Sequence, residues 1–340
     1  MRSGTVETSP VSISGDRPRQ ASAPGDVPHL GRPSRRSRLK ARAGPAGLHL
    51  FDRTTGLNIL LDEVRPPPAV WAAAPRQVSV ALTNACDLAC PYCYAPKVPA
   101  TLHAGRLAGW LTELDANGCL GVGFGGGEPT LYRRLPEVCR YAAQQTGLAV
   151  TFTTHAHRLD EALAAMLVGN VHFVRVSMDG VAATYEVLRG RSFATLRQRL
   201  DTVRALAPFG INFVVNARTL PDLNAALDLA AETGAAEFLL LPEQPVRGRG
   251  GIDPGTALEL QRWVARYRGG VPLAVSEAGS EGLQVCAPVA GETGLDAYAH
   301  IDATGVLKTS SYDPEGIPIG SGGVMGALGR LRVRQKERRR

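Results

Sequence analysis

Apolar and polar positions alternate regularly through the middle of this chain and irregularly at both ends. From residue 77, short apolar, β-branched-rich runs recur at 77–82, 119–124, 148–152, 171–177, 211–216 and 237–241. Each has the length and composition of a strand. Between them, 104–116, 132–145, 158–168, 193–206 and 221–233 read as helices. Arg197, Leu200, Val203 and Leu206, for instance, keep helical spacing. The strands begin about 32 residues apart, the length of a βα unit. Six such units predict an α/β fold with a parallel sheet, as a curled partial barrel or a doubly wound sheet. No exact repeat accompanies the period, which excludes a solenoid.

The flanks read differently. Residues 1–46 are rich in Pro, Ser, Gly and Arg without hydrophobic period, and predict disorder. Apolar runs at 48–51 and 57–61, around a loop ending in Gly56, predict a β-hairpin. Three prolines at 66–68 make a stiff connector. Beyond 242 the period weakens. Residues 254–268 suggest a helix with Pro254 in an early position, and 297–302 with 306–312 suggest a second hairpin. Residues 248–251 and 320–326 read as flexible. The expected organisation is a disordered basic tail over 1–46, a hairpin and linker over 47–74, a core over 75–245, a small α+β extension over 246–328 and a basic tail over 329–340.

Composition refines this picture. Of 340 residues, 44% are apolar, enough to bury a sizeable core, and 20% are charged. The net charge of +7 is unevenly placed. Residues 1–47 carry +6 and 330–340 carry +6, which leaves −5 over 48–329. The basic character therefore lies in the ends, and no specific nucleic-acid partner is expected. The chain has no run of 18 apolar residues and no apolar signal core in its first 46 residues. The expectation is a cytoplasmic protein without a membrane partner.

The chemistry concentrates in two loops. Cys86-x3-Cys90-x2-Cys93 directly follows the first core strand, where parallel α/β folds gather their ligands. Three thiolates within eight residues can wrap one metal centre. An iron–sulfur cube on three cysteines keeps one iron open; zinc would want a fourth ligand, for which His103 is the nearest poor candidate. The second loop, Gly125-Gly126-Gly127-Glu128-Pro129-Thr130, follows the next strand. Glycines let a ligand approach the backbone, and Glu128 could accept hydrogen bonds from a ligand ammonium group. By itself this is also an ordinary strand-to-helix turn.

Together, Thr83-Asn84-Ala85-Cys86-Asp87-Leu88-Ala89-Cys90-Pro91-Tyr92-Cys93-Tyr94 and Gly126-Gly127-Glu128-Pro129 resemble the radical S-adenosylmethionine (SAM) superfamily over roughly 75–245. The resemblance implies a partial (β/α)6 TIM-like barrel. It implies one [4Fe–4S] cluster on Cys86, Cys90 and Cys93, with SAM on the open iron. Gly126, Gly127 and Glu128 would hold the SAM amino group. Reductive cleavage of SAM would give a 5′-deoxyadenosyl radical that abstracts hydrogen from a substrate. By the same resemblance, Ser177 and Asp179 would contact the ribose, Asn216 would make a polar SAM contact, and Tyr92 and Leu241 would flank the adenine. Each also has a plain structural reading: an Asp-Gly turn, a capped strand end, simple packing. Thr153, Thr154 and His155 end the third strand and could face the cavity. Glu243, Gln244, Arg247 and Arg249 end the sixth and are equally substrate contacts or solvated loop residues.

Arg189-Gly190, Phe193 and Gly210 are similar to the branch that modifies peptides and proteins, including makers of ribosomal peptide natural products. Many members of that branch carry auxiliary clusters in a C-terminal extension. Here Cys286 resembles the opening of such an extension, but Ser310 and Ser311 stand where further cysteines would follow, so one cluster is expected. Cys286 is either a buried small hydrophobe or a thiol that returns hydrogen to a substrate radical. Cys119 and Cys139 read as buried packing. The leading expectation is a radical SAM enzyme acting on a peptide or protein, reduced by a partner such as flavodoxin or ferredoxin. The alternatives are an epimerase or dehydrogenase of a small metabolite, and a non-catalytic iron–sulfur protein.

Overall fold

The computed structural model describes residues 39–338 apart from 247, 284, 286–288 and 290. Strand begins with its first residues. β1 (Leu39–Gly44), β2 (Gly47–Asp52) and β3 (Asn58–Leu61) form an antiparallel sheet in that order. Residues 39–46 thus correct the expectation of disorder to 46. The period of β1 was illegible because its buried positions are cations, Lys40 and Arg42 at 8% and 3% exposure. These side chains, with Arg53, donate to carbonyls at the amino ends of the core strands. Arg42 reaches the carbonyls of Ala74, Gly118 and Asp296 at 2.9, 2.9 and 3.0 Å. Lys40 reaches that of Cys119, and Arg53 those of Thr146 and Leu148. Strand ends leave such carbonyls without ladder partners, and the cations satisfy them.

The core follows the predicted alternation. Its elements are β4 (Gln77–Thr83), α1 (Ala104–Ala116), β5 (Gly121–Gly126), α2 (Leu135–Gln145), β6 (Ala149–Thr154), α3 (Glu161–Leu167) and β7 (Phe173–Ser177). Then come α4 (Ala182–Arg189), α5 (Phe193–Leu206), β8 (Phe209–Val215), α6 (Leu223–Thr233) and β9 (Glu237–Pro242). Helix α4 was not anticipated; it occupies the turn after Asp179-Gly180. The remaining elements are α7 (Pro254–Arg266), β10 (Leu273–Val275), β11 (Tyr298–Ile301), β12 (Val306–Lys308), β13 (Ile317–Pro318) and α8 (Gly323–Arg338).

The main sheet runs β10-β9-β8-β7-β6-β5-β4-β11-β12-β13. Its first eight strands in that order, β10 through β11, are parallel. Alternate residues face two different environments. Val78, Val122, Phe124, Val150, Phe152, Val174 and Phe238 are buried in one core cluster with Leu107 and Leu111 of α1 and Leu200 and Val203 of α5. The opposite face is polar and largely half-exposed: Ser79, Thr151, Thr153, Arg175 and Ser177 lie on it. That face is therefore partly open, unlike the packed interior of a closed eight-stranded barrel.

Two expectations about the C-terminal region change. The hairpin expected in a separate extension joins the main sheet, with β11 parallel to β4 in the register His300↔Ser79. The basic tail at 329–340 is helical through Arg338. Val324, Ala327, Leu328 and Leu331 repeat at helical spacing and are buried, and the Glu113 carboxylate accepts from Val324 N and Met325 N at the start of α8. Its arginines face outward, so net charge concealed an amphipathic helix.

Candidate functional site

The cysteine loop leaves β4 at its carboxyl end, and the glycine turn leaves the neighbouring β5. Backbone hydrogen bonds join them: Gly127 N donates to the Thr83 carbonyl at 2.7 Å and Glu128 N to the Ala85 carbonyl at 2.8 Å. A Cβ on Gly126 would stand 2.3 Å from the Thr83 carbonyl oxygen, and one on Gly127 2.2 Å from that of Ala85. These glycines therefore serve the approach of one loop to the other. At Gly125 nothing among the described residues lies within 4 Å of an added Cβ.

Glu128 is likewise turned inward. It is 1% exposed, and its carboxylate accepts from Thr130 N at 3.1 Å, Thr130 Oγ1 at 2.7 Å, Thr154 Oγ1 at 2.7 Å and His155 N at 3.0 Å. With its lone pairs occupied, this carboxylate braces the glycine turn against β6. His155 Nε2 lies 2.8 Å from Asp87 Oδ1, so the residue after Cys86 is tied to the same brace. Burial alone would raise the Asp87 pKa, but the hydrogen bonds from His155 and Arg158 pull it down to about 2. Of the three residues expected to face the cavity, Thr153 does so, while Thr154 and His155 are buried at 2% and 3% exposure.

Asp179 is also 1% exposed and occupied. Oδ1 accepts from Val214 N at 2.7 Å, and Oδ2 accepts from the Tyr92 hydroxyl at 2.6 Å and from Arg189 Nη2. It links the cysteine loop to β8 and α4. Asn216 is similar: its amide donates to Glu243 Oε2 at 2.7 Å and its oxygen accepts from Arg218 N and Thr219 N. Glu243 is held further by Gly251 N at 3.2 Å. Gln244 donates to the Pro242 carbonyl, and Arg249 pairs through its backbone with Val246. Ser177 and Leu241 remain on the half-exposed inner face, where the Ser177 hydroxyl makes no hydrogen bond among the described residues. Tyr92 is pushed to a higher pKa by burial and by the Asp179 charge.

The thiols themselves are half-buried. Cys86 Sγ accepts from Leu88 N at 3.4 Å, Cys90 Sγ from Arg189 Nη1 at 3.5 Å, and Cys93 Sγ from Lys97 Nζ at 3.5 Å. Burial raises the Cys86 and Cys90 thiols, and mutual charge among the three raises them further. Bound iron would relieve that cost, since a coordinated thiol is deprotonated. Among the described residues, one grouping of atoms close enough to share an ion is Cys86, Asp87 and His155. Its Asp87 and His155 atoms are already bonded to each other. Three thiolates, each receiving a single N–H and two of those from cations, suit an anionic iron–sulfur cluster. Cys119 and Cys139 are fully buried elsewhere, with Cys119 pushed up to about 11. Cys286 and Arg247 lie outside the described residues.

Residues 80–227 match the family profile of the radical SAM superfamily. The chain carries a radical SAM domain. The family implies SAM and a [4Fe–4S] cluster, and the cysteine loop fits the latter. Curated relatives include the Fe-coproporphyrin III synthase of Methanosarcina barkeri, 29% identical over 44% of this chain and 40% of that protein. The PqqA peptide cyclase of Rhodopseudomonas palustris is 33% identical over 46% and 45%. The matches thus span less than half the length of these relatives. The crystal structure of Streptococcus suis SuiB bound to precursor peptide SuiA superposes with a TM-score of 0.68 over 86% of this chain and 87% of that one, at 12% identity. The likeness places this radical SAM domain on the partial-barrel fold. No helix among the described residues is long and apolar enough to cross a membrane.

Sequence reading missed several polar residues of the inner face. Ser79 Oγ lies 2.5 Å from the Tyr298 hydroxyl and 2.6 Å from His300 Nδ1. Arg175 pairs with Glu237 at 2.7 Å. A lone Arg or His at one alternate position of an apolar strand was the available signal. Burial lowers His300 to about 4. Its folded pKa lies below the unfolded value near 6.5, so the unfolded chain takes up the proton first. Stability is therefore expected to fall by about 3 kcal/mol as pH drops from about 6.5 to about 4. His300→Gln should remove this group's share of that fall in the urea midpoint and leave the shares of His157 and His172, which burial also lowers to about 4; an unchanged profile would place the titration elsewhere.

Proposed function

We propose that this chain is a radical SAM enzyme that modifies a peptide or protein, with Cys86, Cys90 and Cys93 holding its single [4Fe–4S] cluster. The observation carrying this reading is the cysteine loop stitched by backbone hydrogen bonds to the glycine turn at the carboxyl ends of adjacent parallel strands. When bound, the cluster and SAM supply one-electron cleavage of the sulfonium and a 5′-deoxyadenosyl radical that removes hydrogen from substrate. The protein's own part is positional. Glu128, His155 and Asp179 fix the loop, while Gly125, Ser177 and Leu241 leave an open inner face for SAM. The PqqA peptide cyclase likeness supports a peptide substrate. The Fe-coproporphyrin III synthase likeness favours, as a second reading, a small-molecule substrate. Single-cluster stoichiometry is supported by the burial of Cys119 and Cys139. A low-potential carrier such as flavodoxin or ferredoxin would supply the electron.

The test is anaerobic. Reconstituted protein with SAM and dithionite should form 5′-deoxyadenosine, read by mass spectrometry, with close to four irons per chain. Cys86→Ala should abolish both. A loaded cluster that never cleaves SAM, with or without candidate peptides, would move the non-catalytic reading to the front. Clearly more than four irons per chain would end the single-cluster proposal.

A further inference from the structure

The three sulfur hydrogen bonds are chemically unequal. Leu88 gives a neutral backbone N–H, and Lys97 gives a cation from an exposed side chain. Arg189 gives a cation whose side chain is only 11% exposed. It closes α4, where Gly190 adopts φ +63 and ends the helix. Its three nitrogens face different surroundings. Nη1 points at Cys90 Sγ, Nη2 pairs with Asp179, and Nε is buried without a hydrogen-bond partner among the described residues. The guanidinium also lies 6.0 Å from the Tyr92 ring centroid, and Tyr92 donates to the same Asp179. Val214 N anchors the other oxygen of that carboxylate. A fixed positive charge, paired on its far side with one fixed negative charge, thus touches one ligand of the proposed cluster.

We propose that Arg189 sets the reduction potential of the cluster held by Cys86, Cys90 and Cys93, with Asp179 as its counterweight. The inference rests on the cluster reading above. One-electron reduction adds negative charge that spreads onto the thiolate sulfurs. A cation donating to one of them stabilises the reduced form, and burial keeps solvent from screening it. The electron comes from a low-potential donor, and no bond at Arg189 forms or breaks. Arg189 acts here as a positioning residue, through Cys90.

The two partners must then act with opposite sign. Arg189→Gln removes the charge and should shift the midpoint negative, lowering the reduced-to-oxidised ratio at a fixed potential by about tenfold, equivalent to 59 mV for one electron. Asp179→Asn leaves the guanidinium uncompensated and should shift the midpoint positive. Arg189→Lys should return most of the loss. Lys97→Gln should shift it less, because that charge is exposed. The measurement is an EPR-monitored redox titration of the reconstituted protein without SAM, with iron counted for each variant. If Arg189→Gln loses the fold, Asp179→Asn and Arg189→Lys carry the test. Shifts of the same sign in Arg189→Gln and Asp179→Asn would mean loosened packing and overturn the inference, as would unmoved midpoints. Wild-type protein that binds no cube overturns the cluster reading and this inference together; a cluster with unshifted variants overturns this inference alone.

Discussion

Gly127→Ala is expected to strip the cysteine loop of iron although glycine offers no ligand atom. The added methyl would stand 2.2 Å from the Ala85 carbonyl oxygen and 2.6 Å from that of Asn84. Both neighbours are backbone, so no side chain can swing aside. The 83–86 segment must move off, breaking the hydrogen bonds from Gly127 N and Glu128 N and displacing Cys86. Displacement on the ångström scale costs on the order of 100-fold in a positioned reaction. SAM cleavage should fall at least that far, alongside iron content. Gly125→Ala is the matched control, because its Cβ meets nothing among the described residues within 4 Å. It should load iron normally, and any loss of SAM binding there would locate the face that SAM approaches. Wild-type iron content in Gly127→Ala would refute the clamp.

The second large effect concerns stability. Arg42→Met should destabilise the fold by about 3–5 kcal/mol, the cost of breaking a buried ion pair from one side. Arg42 Nε donates to Glu292 Oε1 at 2.8 Å, and both side chains are almost fully buried, at 2% and 3% exposure. Among the described residues, the substitution leaves the Glu292 carboxylate with only the long 3.4 Å contact to Arg76, strips the carbonyls of Ala74 and Gly118 of their donor, and leaves that of Asp296 with Arg76 N at 2.8 Å. Urea unfolding at constant m-value measures the change. Arg42→Met combined with Glu292→Gln should recover part of it, since the uncompensated charge is gone. A loss below about 1 kcal/mol would mean that water replaces these contacts.

Much of the architecture was written in local pattern. Helices α1 and α5 have the boundaries their spacing predicts, and the six core strands fall on the predicted runs within a few residues. Strand β1 escaped because cations occupy its buried positions. Helix α8 escaped because arginines on its outer face masked the apolar stripe of Val324, Leu328 and Leu331. In the strand, charge stood at buried positions; in the helix, the number of outward charges hid the stripe.

The candidate site divides along the same line. Three cysteines at fixed spacing after one strand, and a glycine–glutamate turn after the next, declare a radical SAM domain from sequence alone, because both depend on short stretches of backbone. What each side chain does was decided by tertiary packing. Glu128, Asp179 and Asn216 carry the polar groups a cofactor would use, and each hydrogen-bonds to residues from another strand or loop. Arg189 stands 99 positions from Cys90 and meets its sulfur only because α4 folds back over the loop. Backbone motifs are local and can be read one loop at a time; the partners of a buried charge are set by which elements the fold brings together.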